Sequence, residues 1–250
     1  MDVVLTQTLV SGVLLGGVFA LVAVGLTLIF GVMKILNFAH GDFLMLGMYF
    51  AYFLSVMFGV DPYVSAVAAL PLFFALGWLI QGWLIRPVLK APESIQILVT
   101  VGLSLFLQNL ALFLFSPDFQ SLRVRYGSDT ATIFGASVSI VRLVASVIAV
   151  LASTGLYFFL ARTDTGKALR ACAEERLGAM TVGIDVERMY KIAFGLGIAC
   201  VALAGVLIGV IESLGEFLLP SPSMKQVATF SVFLLILLLR PQGLMGGKLA

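Results

Sequence analysis

Residues 16–36 read GGVFALVAVGLTLIFGVMKIL, and residues 37–47 continue as NFAHGDFLMLG, a polar cluster directly after an apolar run. A second apolar run, FLMLGMYFAYFLSVMF, occupies residues 43–58. Because a helix needs about 20 apolar residues to cross the hydrocarbon core of a bilayer, the two runs predict two membrane helices. The Asn, His and Asp side chains between them are expected at or near the membrane boundary. Polar groups there are costly unless they face protein, water or a ligand, so this cluster is the first candidate site.

The composition of the whole chain is that of an integral membrane protein. Of its 250 residues, 61% are hydrophobic and 11% are charged, whereas a soluble domain of this length needs more charge to cover its surface. A formal net charge of +2 is too small to indicate a protein that binds nucleic acid. The chain begins Met1-Asp2 without a basic leader, so we expect no cleaved signal peptide. Cys172 and Cys200 lie in segments of different character and predict neither a disulfide nor a metal site.

Seven segments are apolar enough to be membrane helices. They predict an all-α fold, a polytopic transmembrane helical bundle of about seven spans, with residues 1–250 as a single transmembrane domain. Pro71 in the third segment is compatible with a kinked membrane helix. The predicted spans are residues 9–33, 43–60, 62–85, 95–115, 138–161, 192–212 and 226–239.

Lys and Arg residues are concentrated in alternate loops, and this asymmetry predicts the orientation of the chain. The loops after the third and fifth spans and the tail after the seventh are basic, above all residues 162–191. The opposite loops are poorer in basic residues, except for residues 116–137, which carry Arg123 and Arg125. We therefore predict an N-terminus outside the cytoplasm and a cytoplasmic C-terminus.

Residues 162–191 form the largest loop predicted on the cytoplasmic side. Thr163 and its neighbours offer a helix N-cap, and residues 167–180 are rich in strong helix formers. The loop therefore predicts an amphipathic helix, which Gly183 ends or bends. On the residues alone, two interpretations stay open: a helix lying on the lipid surface, or a helix that docks into a groove of a cytoplasmic partner. The residues expected on its apolar face are Leu169, Cys172 or Ala173, Leu177 and Met180.

Three stretches resemble the integral permease subunits of bacterial branched-chain amino-acid ABC importers. The first is ALVAVGLTLIFG at residues 20–31, which runs into NFAHGDFLMLGMY. The second is GKALRACAEERLGAMTVGIDVER at residues 166–188, followed by AFGLGIACVALAGVL. The third is LLILLLRPQGLMG at residues 234–246. With their flanks, these stretches extend the resemblance over most of the chain in the same order.

The resemblance implies that the chain is a permease subunit of an ATP-driven (ABC) importer for branched-chain or similar amino acids. It implies a location in the bacterial inner (cytoplasmic) membrane. The implied partners are a sister permease subunit, two cytoplasmic ATPase subunits, a periplasmic substrate-binding protein and the lipid bilayer, without nucleic acid. On this hypothesis the chain is not an enzyme and binds no cofactor. The partner ATPases would use ATP and Mg, since this sequence contains no GxxxxGK[ST] phosphate-binding motif.

The resemblance also implies roles for two sets of residues. The first set matches the family motif after the first span, where it is implied to line or gate the translocation pathway. From the residues alone, the alternative is that Asn37 and His40 brace the chain break while Asp42 caps the next helix. The second set matches the segment that couples the permease to its ATPase, which favours docking for the cytoplasmic helix. The pathway or gate residues are Asn37, His40, Gly41 and Asp42, and the coupling residues are Gly166, Ala168, Leu169, Arg170, Ala171, Glu174, Ala179, Gly183 and Ile184.

The sequence after Leu207 departs from the family pattern. Family members continue there through a Gly-rich membrane segment, whereas this chain passes almost directly to IGVIESLGEFLLPSPS at residues 208–223. The alternatives to an amino-acid importer are therefore a permease for urea or short amides, a shortened remnant that does not transport, and a passive channel. A membrane enzyme is disfavoured, because His40 is the only histidine and no HExxH motif is present.

Overall fold

The computed structural model describes residues 2–115, 129–133 and 136–215. Judged by their contacts, Met1–Ser213 form one compact unit and Leu214–Ala250 a second. The membrane-length helices of the described residues belong to the first unit. The expected seventh span, at residues 226–239, lies outside the described residues. The single domain over residues 1–250 stays a prediction.

The described residues are predominantly helical. The third helix is prolonged by a π-helical turn at Gln81–Ile85 and a 3-10 turn at Arg86–Val88. Two short strands, β1 (Thr130–Ile133) and β2 (Ala136–Ser139), precede the fifth helix. The helices are α1 Asp2–Met33, α2 His40–Phe58, α3 Pro62–Ile80, α4 Glu93–Phe115, α5 Ile140–Arg162, α6 Asp164–Glu174, α7 Arg176–Thr181 and α8 Val186–Gly215.

Six helical segments within the described residues are long and apolar enough to cross a membrane. They coincide with six of the seven predicted spans, which confirms the polytopic helical bundle. The segments are Leu9–Met33, His40–Phe58, Pro62–Val88, Glu93–Phe115, Ile140–Arg162 and Val186–Ile211.

The antiparallel hairpin of β1 and β2 was not expected in an all-α fold. Thr130 pairs with Ser139 at its open end, and the side chain of Val138 is 1% exposed. Strands of four residues are too short for alternation of apolar and polar residues to distinguish them from a loop. The hairpin does not alter the predicted fold class, because the membrane segments are all helical.

The turn between α2 and α3 is tight, as the sequence indicates. Gly59 ends α2 in the left-handed region at φ 62°, a conformation that glycine adopts without steric cost. The Asp61 carboxylate then accepts a hydrogen bond from the Tyr63 amide at 2.8 Å and caps α3. Pro62 occupies the first turn of α3, where its missing N–H costs nothing. These three devices fix α2 and α3 as a helical hairpin.

Helix α8 is the centre of the bundle. In its most apolar stretch 89% of the residues are buried, against 17% to 28% in the other five spans, which therefore present much of their surface to lipid. Small residues permit this central position, because they let neighbouring backbones approach closely. A Cβ atom added at Gly197 would lie 2.7 Å from the carbonyl oxygen of Gly25 in α1. Likewise, Gly47 of α2 packs directly on the backbone of Ala202.

Contacts at the ends of the helices agree with a chain that alternates across the bundle. At one end, Gln7 Nε2 donates to the carbonyl oxygen of Ser137 at 3.1 Å. At another, Arg86 donates to the Glu187 carboxylate at 2.9 Å. Four spans separate the first pair of residues along the chain and two separate the second. Even numbers are what alternating crossings require for residues that meet on the same side.

Candidate functional site

The polar cluster lies in a break between α1 and α2. Helix α1 ends at Met33, and Lys34 adopts the left-handed conformation at φ 58°, which turns the chain out of the helix. Asn37 closes the next turn: its Oδ1 accepts from the Ala39 amide at 3.2 Å, and its backbone carbonyl accepts from the His40 amide at 3.1 Å. Asparagine favours such turns because its side chain mimics a backbone carbonyl. The side chain of Asn37 is therefore a brace for the break, as one interpretation of the sequence holds.

His40 ties the start of α2 to the middle of α1. Its Nε2 lies 3.1 Å from the backbone carbonyl oxygen of Val22, and the residue is only 5% exposed. Because a carbonyl oxygen only accepts, Nε2 carries the hydrogen and donates it. The opposite ring nitrogen, Nδ1, is buried without a partner among the described residues, and so is Nδ2 of Asn37. Two unsatisfied polar atoms thus lie within the break.

Asp42 does not cap α2, contrary to one interpretation of the sequence. The N-cap position belongs to Ala39, and no side chain there accepts a capping hydrogen bond. The carboxylate of Asp42, which is 8% exposed, instead accepts from Gln108 Nε2 of α4 at 3.0 Å. Its position in the first turn still lets the negative charge interact favourably with the helix dipole. Asp42 therefore links α2 to α4.

Gly41 stands apart from the other three predicted residues. It is exposed, and a Cβ atom added there would meet nothing within 4 Å. The break therefore brings together Asn37, His40 and Asp42 and leaves Gly41 on its outer side.

Helix α4 contributes polar residues that the sequence analysis missed. Thr100, which is fully buried, donates from Oγ1 to the carbonyl oxygen of Leu36 at 3.3 Å, and Gln108 binds Asp42. Ser104 lies between them and accepts from Gln108 Nε2 at 3.1 Å. The signal was present, because Thr100, Ser104 and Gln108 recur every four residues on one face of an apolar helix. Such a polar stripe in a membrane helix indicates a face directed at protein.

The cytoplasmic loop forms two helices and not one. Thr163 caps α6, since its Oγ1 accepts from the Gly166 amide at 3.0 Å. Glu175 ends α6 in an extended conformation and caps α7 through a hydrogen bond from the Leu177 amide to its carboxylate at 3.2 Å. The predicted continuous helix over residues 167–180 is wrong, because this second cap offers the backbone an alternative to a further helical turn.

The break at Glu175 divides the expected apolar face. Leu169 and Cys172 are buried, and burial raises the pKa of the Cys172 thiol, which keeps it protonated at neutral pH. Leu177 and Met180, in contrast, are 71% and 53% exposed. The short helix α7 therefore presents apolar side chains to the surroundings of the bundle.

The nine predicted coupling residues fall into three groups by exposure. Gly166 is buried so tightly against the backbone carbonyls of Phe159 and Leu160 that a Cβ atom would overlap them. This contact fastens α6 to the end of α5. Those buried are Gly166, Leu169 and Ala179; those half-buried are Ala168, Ala171 and Ile184; and those exposed are Arg170, Glu174 and Gly183.

Metal ligands do not cluster in the part of the chain that the structure describes. No group of three or more His, Cys, Asp or Glu side chains in those residues is placed to hold a metal ion.

Membrane-length helices that pack around a buried central helix, with a polar break after the first, define a polytopic helical membrane protein. The family described as "Branched-chain amino acid transport system / permease component" matches residues 8–239. The chain belongs to this family of transport permeases, which confirms the resemblance found in the sequence.

Individual relatives agree with the family match. The chain is 34% identical over 215 residues to the high-affinity branched-chain amino acid transport system permease protein LivH of Escherichia coli K12, with 81% of this chain and 70% of the relative covered. It is 30% identical over 217 residues to the permease protein BraD of Pseudomonas aeruginosa, with the same coverage. It is 30% identical over 233 residues to a probable LivH of Methanocaldococcus jannaschii, with 89% and 70% covered. No solved structure matches the chain significantly.

Proposed function

We propose that this chain is the permease subunit of an ATP-driven importer for branched-chain or similar amino acids. The observation that carries the proposal is the family match over residues 8–239. The relatives LivH and BraD are permeases of branched-chain amino acid transport systems. The proposed location is the bacterial inner membrane, with the N-terminus outside and the C-terminus in the cytoplasm. The concentration of Lys and Arg in residues 162–191 supports this orientation.

The proposed gate of the pathway is the break that contains Asn37, His40 and Asp42. Its hydrogen bonds join different helices, since His40 binds the backbone of Val22 in α1 and Asp42 binds Gln108 in α4. A small number of such bonds can be exchanged when the helices move, which is what alternating access requires. The unsatisfied Nδ1 of His40 and Nδ2 of Asn37 offer partners for water or for the polar groups of a substrate. In this mechanism, bracing the break and gating the pathway are two aspects of one site.

The proposed energy source is a pair of cytoplasmic ATPases that dock on α6 and α7. The exposed apolar side chains of Leu177, Met180 and Val182 form a surface suited to a protein partner. Arg170 and Glu174 add exposed charges of opposite sign on α6. The contact of Gly166 with the end of α5 would transmit a displacement of α6 into the membrane helices. ATP and Mg would be bound by the ATPases and not by this chain.

The remaining proposed partners are a sister permease subunit and a periplasmic substrate-binding protein. Both follow from the importer hypothesis, in which two permease subunits enclose the pathway and a binding protein delivers the substrate.

Uptake in cells tests the substrate class. We expect a strain that lacks its own branched-chain permease to accumulate labelled leucine when it expresses this chain with the partner subunits. An excess of isoleucine or valine should suppress that uptake, whereas urea and acetamide should not. Uptake of urea or acetamide without leucine uptake would establish the alternative substrate class. Leucine entry that persists after ATP depletion would indicate a passive channel, and no uptake of any of these solutes would indicate a remnant.

A further inference from the structure

A basic pocket lies where the third span ends and α8 begins. It encloses about 430 Å³ and opens to the surroundings on one side. The side chains of Arg86, Lys90 and Arg176 contribute three positive charges to its lining, and Glu187 contributes one negative charge. The pocket is distinct from the polar break and includes none of the nine predicted coupling residues.

The charges of the pocket are only partly neutralised. Arg86 and Glu187 form an ion pair at 2.7 Å, which accounts for one cation and the carboxylate. Arg176 lies over the ring of Tyr190, 5.7 Å from its centroid, and this contact leaves the positive charge in place. Within the described residues, neither Lys90 nor Arg176 belongs to an ion pair. The pocket therefore has an excess of two positive charges and suits an anion.

The position of the pocket is that of a membrane boundary. The third span ends at Val88 and the last described span begins at Val186, and the pocket is lined by residues from both ends. Trp83, one residue beyond the lining residue Gly82, is 85% exposed, and Leu84 is 38% exposed. Tryptophan is enriched where a membrane protein meets the lipid headgroups. An exposed tryptophan beside a cationic pocket thus points to headgroup depth.

We propose that this pocket binds the phosphodiester headgroup of an anionic phospholipid such as phosphatidylglycerol. Basic pockets between membrane helices on the cytoplasmic side are suited to anionic headgroups. Lys90 and Arg176 would hold the phosphate, while the acyl chains extend along the exposed apolar surface beside Trp83. The proposal goes beyond the transport function, because the lipid would hold α7 against the end of the third span. The cytoplasmic location of the pocket rests on the proposed orientation of the chain.

Native mass spectrometry of the purified full chain tests the proposal with two lipids, phosphatidylglycerol and zwitterionic phosphatidylcholine. The pocket variant is Lys90→Gln with Arg176→Gln, which spares the ion pair of Arg86. The matched control is Arg162→Gln with Lys167→Gln, two residues outside the pocket lining whose replacement removes the same charge. We expect phosphatidylglycerol to bind more tightly than phosphatidylcholine, and the pocket variant to bind it roughly tenfold or more weakly. The control variant should keep the wild-type affinity.

Three results would overturn the proposal. The first is an unchanged lipid preference in the pocket variant, or an equal loss in the control. The second is displacement of the lipid by inorganic phosphate at an equal concentration, which would identify a site for a free anion. The third is release of the lipid when the ATPases assemble on the permease, which would make the pocket part of the ATPase contact. Equal melting temperatures of the two variants would exclude misfolding as the cause of a lost preference.

Discussion

At the residue scale, the bond between Gln108 and Asp42 is the contact on which the break most depends. The Asp42 carboxylate is 8% exposed, and Gln108 Nε2 donates to it at 3.0 Å. A buried charge without a partner is strongly destabilising, so the cost of losing this donor falls on the carboxylate that remains. The bond also joins α2 to α4 across the proposed gate, so both stability and transport should depend on it.

We expect Gln108→Leu to lower the free energy of unfolding by about 1–3 kcal/mol, because it leaves the carboxylate unpartnered. The melting temperature of the purified chain should fall by several degrees, and leucine uptake should fall with it. Asn109→Leu is the matched control, since Asn109 is exposed and donates only to the carbonyl oxygen of Leu105 in its own helix. Equal melting temperatures for the two variants would show that the bond to Asp42 contributes nothing.

At the element scale, close approach to α8 holds the bundle together. A Cβ atom added at Gly197 would lie 2.7 Å from the carbonyl oxygen of Gly25 and 2.5 Å from Ile29 Cγ1. Backbone carbonyls cannot move aside as the end of a side chain can, so α1 and α8 would have to separate. The packing of the central helix thus depends on residues that have no side chain to contribute.

Gly197→Ala should therefore destabilise the chain by about 1–3 kcal/mol, as overpacking of a well-filled core does. Gly102→Ala in α4 provides the control, because a Cβ atom there would meet nothing within 4 Å. It should be neutral or slightly stabilising, since alanine favours a helix over glycine by about 1 kcal/mol. Thermal unfolding monitored by fluorescence would measure both variants. A loss of stability in Gly102→Ala alone would contradict this packing of α1 on α8.

The helix α7 carries the second prediction at this scale. Leu177 and Met180 are exposed, so replacing both by Asn should leave the fold and the melting temperature unchanged. ATPase binding should fall by at least roughly tenfold, because two apolar contacts of an interface are lost. Thr181→Asn, on the same helix, is the control and should bind the ATPase normally. Co-purification of the ATPase with each variant is the measurement, and normal recovery with the double variant would show that α7 is not a docking surface.

At the scale of the whole molecule, the sequence predicted the parts of the fold that depend on long apolar runs. Six spans and the hairpin of α2 and α3 were predictable, because a bilayer demands about 20 apolar residues per crossing and Gly59, Asp61 and Pro62 mark a tight turn. The strands β1 and β2 were not predictable, since four residues carry too little periodicity. The break at Glu175 depends on a side-chain cap that helix propensities do not include.

The candidate site was predictable only in part, for a related reason. The residues of the break, Asn37 to Asp42, are contiguous in sequence and were visible as a polar interruption. Their partners Val22, Thr100 and Gln108 lie in other helices, and which helices meet is decided by packing around α8. Composition alone does not contain that information, although the four-residue spacing of polar residues in α4 was an indirect sign of it.

The central claim, that the chain is the permease of an ATP-driven amino-acid importer, is tested most directly by leucine uptake into proteoliposomes. These should contain this chain, its sister permease and the ATPases, with ATP and the binding protein supplied on their proper sides. We predict that leucine accumulates above its external concentration, and that accumulation stops when ATP is withheld. Leucine that merely equilibrates across the membrane regardless of ATP would contradict the claim, as would an assembled complex that hydrolyses ATP without moving any leucine.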